Sequence, residues 1–465
     1  MAYSAPDGIT FSYTELKDGS WLEKAMAAVR RDGLFLPVLE LEPSGDARIA
    51  AAVANFLDSN GTYREGDRAV INARTTTLPM ALEIGYQMRE RNVEPVVVLS
   101  LLSSPAELVA LLKGCPGYDG NFSRAKSRTS EQYNRVLDYV VGEGKGHWCV
   151  VYVPAAGALT NEQTSALELL LSLQEGGLSD LKTYRDDGRI KSQDIIGYPV
   201  KEHAERLGLS FDEWRDYFFA AMAVPKRTLI EEALKHPYMG MLVESSTTGR
   251  PIRILGKEGT DLVVNMKGRS VIMDVGTVGV NAVEGTYDPA KPPMNNVTNL
   301  PDGEYCGPPV EESFNGVVKS TMVGYTRAGG RIKNYEVTWR DGRIVSARAK
   351  EGNDALLEAT GLAEHGYGGD ELEAFRRRRT GAEIGFGGVN PVYRKLAARL
   401  RQRRARGEEA GCTGQPLFDE KIFDGHVACG ANDAFGGKSV SRVGKMAVIH
   451  TDFVFGDIEA VEFAD

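Results

Sequence analysis

The 465-residue sequence is poor in histidine, with six, and in cysteine, with five. The cysteines are scattered and no two form a Cys-x-x-Cys pair, which points to free thiols in a reducing compartment. No apolar run approaches the length of a membrane span, so no membrane partner is expected. The opening Met1-Ala2-Tyr3-Ser4-Ala5-Pro6-Asp7 has neither the basic nor the apolar region of a secretory signal. The expectation is a cytoplasmic protein. A net charge of −9 leaves no general basic surface, so nucleic acid is not an expected partner. No Gly-x-Gly-x-x-Gly turn follows the first clear strand, which argues against a dinucleotide site. There is no internal repeat and no long low-complexity segment.

What remains is the composition of a globular protein, 42% hydrophobic and 26% charged, in a chain long enough for two domains. Trp21 to Arg31 has the pattern of an amphipathic helix and Gly33 to Leu39 that of a short strand. Asp46 to Leu57 is helical in period. Gly66 to Asn72, Leu78 to Glu90 and Pro95 to Ser100 read as strand, helix and fully apolar strand, the signature of a βαβ unit. Helices at Ala106 to Lys113, Glu131 to Val141 and Thr160 to Leu173, with a strand at Trp148 to Pro154, continue the alternation. An α/β N-terminal domain with a mostly parallel sheet is therefore predicted.

Ser210-Phe211-Asp212-Glu213 is a capping box that opens an aromatic helix to Met222, and a second helix covers Arg227 to Lys235. From about residue 240 short alternating strands take over, at Ile252 to Leu255, Asp261 to Met266 and Val271 to Met273. Tyr335 to Trp339 and Ile344 to Ala349 flank Arg340-Asp341-Gly342-Arg343, a hairpin turn. The chain is thus divided into an α/β domain at 1–235 and a β-rich α+β domain at 236–465. Arg394 to Arg406 is a basic run on a predicted helix, and its ordinary reading is an ion-paired surface.

The stretch from Phe418 to Phe455 holds two of the six histidines, His426 and His450, among strand-like residues. His450 and Asp452 are two apart, which on a strand places both side chains on one face. His-x-Asp alone is a weak signal, since a hydrogen-bonded structural pair has the same spacing. Carboxylates from upstream could complete a metal site. Pro301-Asp302-Gly303 is a turn that presents Glu304 at the start of a strand-like segment, where a surface hairpin is the alternative. Glu383 stands alone in the small, apolar run Gly381 to Pro391, where burial calls for a cation nearby, either a metal or an arginine.

In this order the motifs resemble the aminopeptidase T and aminopeptidase S family of dinuclear metallopeptidases. The resemblance rests on Pro301-Asp302-Gly303-Glu304 through Ser313, Trp339 to Val345, Glu383-Ile384-Gly385-Phe386-Gly387, Asp419-Glu420-Lys421-Ile422, Gly425-His426-Val427-Ala428 and Ile449-His450-Thr451-Asp452. More loosely, it reaches back to about residue 60. It implies Glu304, Glu383, His426, His450 and Asp452 as ligands of two divalent ions (zinc, cobalt or manganese), with Glu383 as the bridge. It also implies removal of N-terminal residues from peptides, or cleavage of a small amide, by a homodimer.

Three features depart from the family pattern. The position seven residues after His426, where the family carries a tyrosine, is Asp433, and no catalytic residue is assigned there. An aspartate stands in for a phenolic donor only when protonated. Thr451 replaces the family's tryptophan, and the stretch between Glu383 and His426 is lengthened by the arginine-rich helix. Dihydroxypyridine ring-cleaving dioxygenases share the scaffold. For them His426, His450 and Asp452 would form a triad around a single Fe(II). A non-catalytic metal-binding or interaction protein is the third reading.

Overall fold

The computed structural model describes residues 10–12, 38–60, 62–99, 146–152, 189–276, 297–326, 330–363, 379–430 and 450–464, with a few single positions and short pieces between them. The helices expected at 106–113 and 160–173, and most of that at 21–31, fall outside these residues. Among the described residues no helix is long and apolar enough to cross a membrane. The four described cysteines, Cys149, Cys306, Cys412 and Cys429, are buried.

The first of two compact units spans 1–198 and takes back 296–298. Its sheet is built from β1 (Thr10–Phe11), β2 (Val38–Leu39), β3 (Arg68–Ala73), β4 (Glu94–Leu99), β5 (Gly146–Tyr152) and β6 (Ile190–Gly197). The strand order is β1-β2-β4-β3-β5-β6, closed by β11 (Val297–Leu300). The β4-β3-β5-β6 run is parallel throughout, as the apolar strands and intervening helices predict. Helices α1 (Ala47–Asn60) and α2 (Leu78–Glu90) bury the apolar faces read from sequence. A buried polar chain ties the strand starts together. Asp67 lies 2.9 Å from His147 Nε2, His147 Nδ1 lies 2.8 Å from Ser192 Oγ, and Ser192 and Tyr63 both donate to Asp194. It lies at the N-terminal ends of the parallel strands, opposite the end where α/β sheets bind ligands, and reads as a structural clamp.

The second unit spans 199–295 and 299–465. The boundary thus falls at 198/199, earlier than the 235/236 expected from the change to alternating strands. The reason is packing. Helices α3 (Lys201–Leu207), α4 (Phe211–Met222), α5 (Lys226–Lys235) and α6 (Met239–Thr248) belong to the second unit. Leu229, Ala233, Met239 and Leu242 share one core with its strands. Ser210 accepts from Glu213 N while Glu213 reaches back to Ser210 N, the capping box the sequence predicts.

Two six-stranded antiparallel sheets make up the rest. One has the order β15-β14-β13-β8-β7-β21, from β7 (Ile252–Gly256), β8 (Asp261–Val264), β13 (Asn315–Tyr325), β14 (Arg331–Arg340), β15 (Arg343–Glu351) and β21 (Ile458–Phe463). Asp341 and Gly342 turn β14 into β15 with φ of 48° and 77°, both positive as a tight hairpin requires. The other sheet has the order β10-β9-β12-β16-β17-β20. Its strands are β9 (Ile272–Asp274), β10 (Val280–Asn281), β12 (Glu304–Gly307), β16 (Gly381–Phe386), β17 (His426–Gly430) and β20 (His450–Val454). Arg442–Val443 and Met446–Ala447 pair separately as β18 and β19.

The basic run forms α8 (Pro391–Ala405), and its arginines are ion-paired. Arg394 meets Glu232, Arg399 meets Glu213, and Arg401 meets Asp424 and Asp457. Its apolar side is buried, with Trp214 of α4 stacked on Tyr393. Trp214 also meets Phe418 of α9 (Pro416–Ile422), and His203 of α3 packs its ring edge-on to both Trp214 and Phe418.

His203 is 2% exposed, its Nδ1 has no hydrogen-bond partner, and its pKa is lowered to about 3, first by burial and then by the Arg206 charge. The unfolded chain therefore takes up a proton at His203 below about pH 6.5 that the folded chain refuses until about pH 3. The stability lost is about 1.4 kcal/mol per pH unit across that window and nothing above it. Replacing His203 with Leu removes this loss. Denaturant titrations at pH 7.5 and pH 5 should show His203→Leu gaining on the wild type by roughly 2 kcal/mol at the lower pH. Identical pH dependence of the two proteins would refute the assignment.

Candidate metal centre

Residues directly opposite one another in an antiparallel pair share a face, and so do residues two apart on one strand. Applied across the second sheet, this rule gathers the acidic and imidazole side chains. Glu304 faces Asp274, Cys306 faces Gly385, and Gly385 faces His426. Glu383 faces Ala428, which in turn faces Asp452, while His450 takes the place opposite Gly430. Asp274, Glu304, Glu383, His426 and Asp452 therefore occupy one face of five adjacent strands, with the backbone of His450 two residues before Asp452. The other face is apolar: Tyr305, Ile384, Phe386, Val427 and Phe453 are all buried there, with Tyr305 stacked on Phe386. The alternation of Glu-Tyr-Cys and Glu-Ile-Gly-Phe in the sequence is thus polar-face and core-face spacing.

Glycines make room on the polar face. A Cβ at Gly385 would lie 2.1 Å from His426 Cε1, so only glycine lets the imidazole lie across β16. A Cβ at Gly387 would lie 2.3 Å from the carbonyl oxygens of Glu420 and Phe423. This close approach, with Gly388 N donating to Lys421 O, seats α9 against the end of β16. The turn before Glu304 is pinned by Asn390, which caps α8 through Val392 N and donates to Asp302 O.

Glu304, Glu420 and His426 each bring a ligand atom to within 4.8 Å of the others. Glu304 and His426 are residues that the family resemblance implies. Glu420 was passed over by the sequence reading, although its segment was one of the matching motifs. Its only signal was an acid beside Lys421 in a short helix, a pattern that ordinarily marks a surface. Here all three are buried. Glu304 is buried, not on an exposed hairpin, and Glu383 is buried in β16. Glu383 and Asp452 lie close enough to Glu420 to act on its charge. The backbone of His450 is in step with Asp452, and its side chain is outside the described residues, as is Asp433 altogether.

Lys421 is fully buried at the centre of this acidic group. Its Nζ lies 2.7 Å from Glu304 Oε1, 3.2 Å from Glu420 Oε2 and 3.4 Å from Asp274 Oδ2. Burial alone would lower its pKa, yet the carboxylates of Glu304, Glu420 and Asp274 together carry it well above the ordinary lysine value. One ammonium is shared by three carboxylates, before Asp302, Glu383 and Asp452 are counted. Burial and then the charge on Asp452 push the Glu420 carboxyl well above its ordinary range, and burial and then Asp274 do the same to Asp302. Further positive charge would favour their ionised forms. Glu304 Oε2 and Glu420 Oε1 have no hydrogen-bond partner, and Glu304 Oε2 is 3.8 Å from His426 Nε2. Buried acceptors of this kind, together with imidazole, are a donor set that suits a divalent cation.

Comparison with known proteins agrees with this chemistry. The family model described as thermophilic metalloprotease (M29) matches residues 250–364. Aminopeptidase AmpS of Bacillus subtilis (strain 168) is 26% identical over 210 residues. The chain is similar to members of the aminopeptidase T and S (M29) family. The AmpS match spans 43% of this chain and 42% of the relative, so less than half of the relative's length is covered. The solved structure of wild-type AmpT from Thermus thermophilus is similar in fold, with a TM-score of 0.60 at 16% identity, over 89% of this chain and 94% of that one. The α/β domain and the antiparallel β-rich domain are thus the fold of that solved structure, as expected. The matching family model is described as that of a metalloprotease, in line with the donor set of the acidic face.

Gly385→Ala tests the packing of the centre. The new methyl must displace the His426 ring or β16, at a cost of about 1–3 kcal/mol. Divalent-metal affinity in a chelator competition should fall at least about tenfold, as for other changes that misorient a ligand. Gly240→Ala, in α6 where a Cβ meets nothing within 4 Å, is the control and should leave affinity unchanged. Equal affinities in both variants would show that the ring position does not matter.

Proposed function

We propose that the protein is a metal-dependent aminopeptidase-like hydrolase that cleaves a peptide or small amide bond next to a free amine. The observation that carries this reading is the buried meeting of Glu304, Glu420 and His426 within a surplus of carboxylates. Glu304, Glu420 and His426 would hold one divalent ion. Glu383, in the middle of the ligand face, would bridge to a second ion held with His450 and Asp452. Bound there, such ions polarise a scissile carbonyl and make water a nucleophile at neutral pH. The chain's own residues supply the rest. The acidic face attracts a substrate with a protonated α-amine and disfavours one without it. Burial, and then the charge on Asp452, raise the pKa of the Glu420 carboxyl, and positive charge beside it would favour the ionised form that binds a cation.

The mononuclear iron reading requires only His426, His450 and Asp452. It leaves the partnerless oxygens of Glu304 and Glu420 buried with no task, and the carboxylate-rich donor set favours hydrolysis. A homodimer belongs to the same proposal and rests on the family resemblance, and a cytoplasmic location rests on the scattered cysteines.

The proposal is tested with protein purified without chelator. It should contain two zinc, cobalt or manganese ions per chain and release the leaving group from aminoacyl chromogenic amides but not from their N-acetylated counterparts. Glu383→Ala should retain at most one ion and lose more than about 100-fold in rate, the upper end of what losing an outer partner costs. One iron per chain, with oxygen consumed in the presence of a dihydroxypyridine, would establish the oxygenase instead. Absence of any bound divalent ion under metal-replete conditions would leave a non-catalytic protein.

A further inference from the structure

We propose that Lys421 is a positioning residue: it occupies one oxygen of Glu304 and one of Glu420, and so fixes which oxygen each presents to a divalent cation. The inference rests on the metal-centre reading above and concerns how this chain prepares its ligands.

A carboxylate has two equivalent oxygens and can bind a cation through either or both. Here the equivalence is broken. Lys421 Nζ donates to Glu304 Oε1 at 2.7 Å and to Glu420 Oε2 at 3.2 Å. The oxygens it does not touch, Glu304 Oε2 and Glu420 Oε1, are the two buried oxygens of these side chains with no hydrogen-bond partner. Glu304 Oε2 is also the oxygen that lies toward His426, 3.8 Å from Nε2. One ammonium thus sorts four oxygens into two that are engaged and two that are held ready.

The geometry of Lys421 is set independently of any cation. Its backbone carbonyl accepts from Gly388 N, and its helix is held by Phe418 in the Trp214 and Phe218 cluster. Asp419, two residues before it, accepts from Thr413 N at 2.7 Å and Gly414 N at 2.9 Å, which anchors the start of the helix. Asp274 Oδ2 at 3.4 Å closes the far side of the ammonium. Two of its three donors bond to Glu304 and Glu420, and Asp274 Oδ2 meets the ammonium as an ion pair without a hydrogen bond.

The deciding experiment is a crystal structure of the wild-type protein loaded with Mn²⁺. The metal should contact Glu304 Oε2 and Glu420 Oε1, with Lys421 Nζ still bonded to the opposite oxygen of each. Chelation of Mn²⁺ by both oxygens of either glutamate, or displacement of Lys421 from them, overturns the proposal. Lys421→Met keeps the length and removes the charge. Its Mn²⁺ affinity, read by chelator competition, should be about 10–100-fold weaker despite the more negative site, as for the loss of a partner that orients a ligand. Affinity equal to or tighter than wild type means that the lysine acts only as a countercharge, and overturns the proposal. If Lys421→Met does not fold, the wild-type coordination still decides. If the wild type binds no Mn²⁺, Co²⁺ or Zn²⁺, the metal-centre reading falls first and this inference with it. Normal binding with two-oxygen chelation refutes the inference alone.

Discussion

A surplus of buried negative charge governs the second unit. Three carboxylates share the ammonium of Lys421, and burying an uncompensated carboxylate costs several kcal/mol. A protein tolerates that cost only where charge is to be supplied. Burial, and then the neighbouring carboxylates, raise the pKa of Asp302 and Glu420, and a cation would act in the opposite direction. The same constraint explains why the surroundings are so closely specified. A loose acidic pocket would hydrate and relax, whereas this one is closed by strands below and by α9 at the end of β16.

The sheet does the positioning with little more than its pleat. Period-two alternation puts Glu304 and Cys306, Glu383 and Gly385, and His426 and Ala428 on one side, and Tyr305, Ile384, Phe386 and Val427 on the other. A slip of one residue in any of these strands would carry its polar side chain into the apolar core and an aromatic or aliphatic side chain into the acidic site. Stacking of Tyr305 on Phe386 and burial of Phe453 therefore fix the register, and through it the candidate ligands. The apolar core and the candidate metal site are two faces of one specification.

Much of this was legible in the sequence, for identifiable reasons. The parallel strands at 68–73 and 94–99, the helix at 78–90 and the Asp341-Gly342 hairpin each have a strong local cause: a continuous apolar run, helical periodicity, or a turn that needs two positive φ angles. His450 and Asp452 were readable as a same-face pair because strand spacing alone decides it. Glu304 and Glu383 became credible only together, through the order of motifs. Glu420 and Lys421 were not legible. Their helix has every residue from Leu417 to Ile422 buried, so it shows no amphipathic contrast, and Asp-Glu-Lys in a row looks like solvated surface. The compact units divide at 198/199 for a related reason. Secondary-structure texture changes near residue 240, but Leu229 and Ala233 already share the core of the later strands, and shared cores do not print themselves on local periodicity.

The arginine-rich helix shows how a charge run acquires meaning from its partners. Read alone, Arg394 to Arg406 is a basic stripe. In the fold its arginines are spent on Glu232, Glu213, Asp424 and Asp457, while Tyr393 and Leu396 face inward. Its first turn carries the consequence for the candidate site, because Asn390 caps the helix and also holds the carbonyl of Asp302, two residues from Glu304. An insertion that lengthens the segment between Glu383 and His426 is thereby tied to the strand that presents Glu304. The outer arginines fix the helix and the cap transmits its position. The acidic centre is thus held from one side by a cation within it, Lys421, and from the other by a helix whose own cations never enter it.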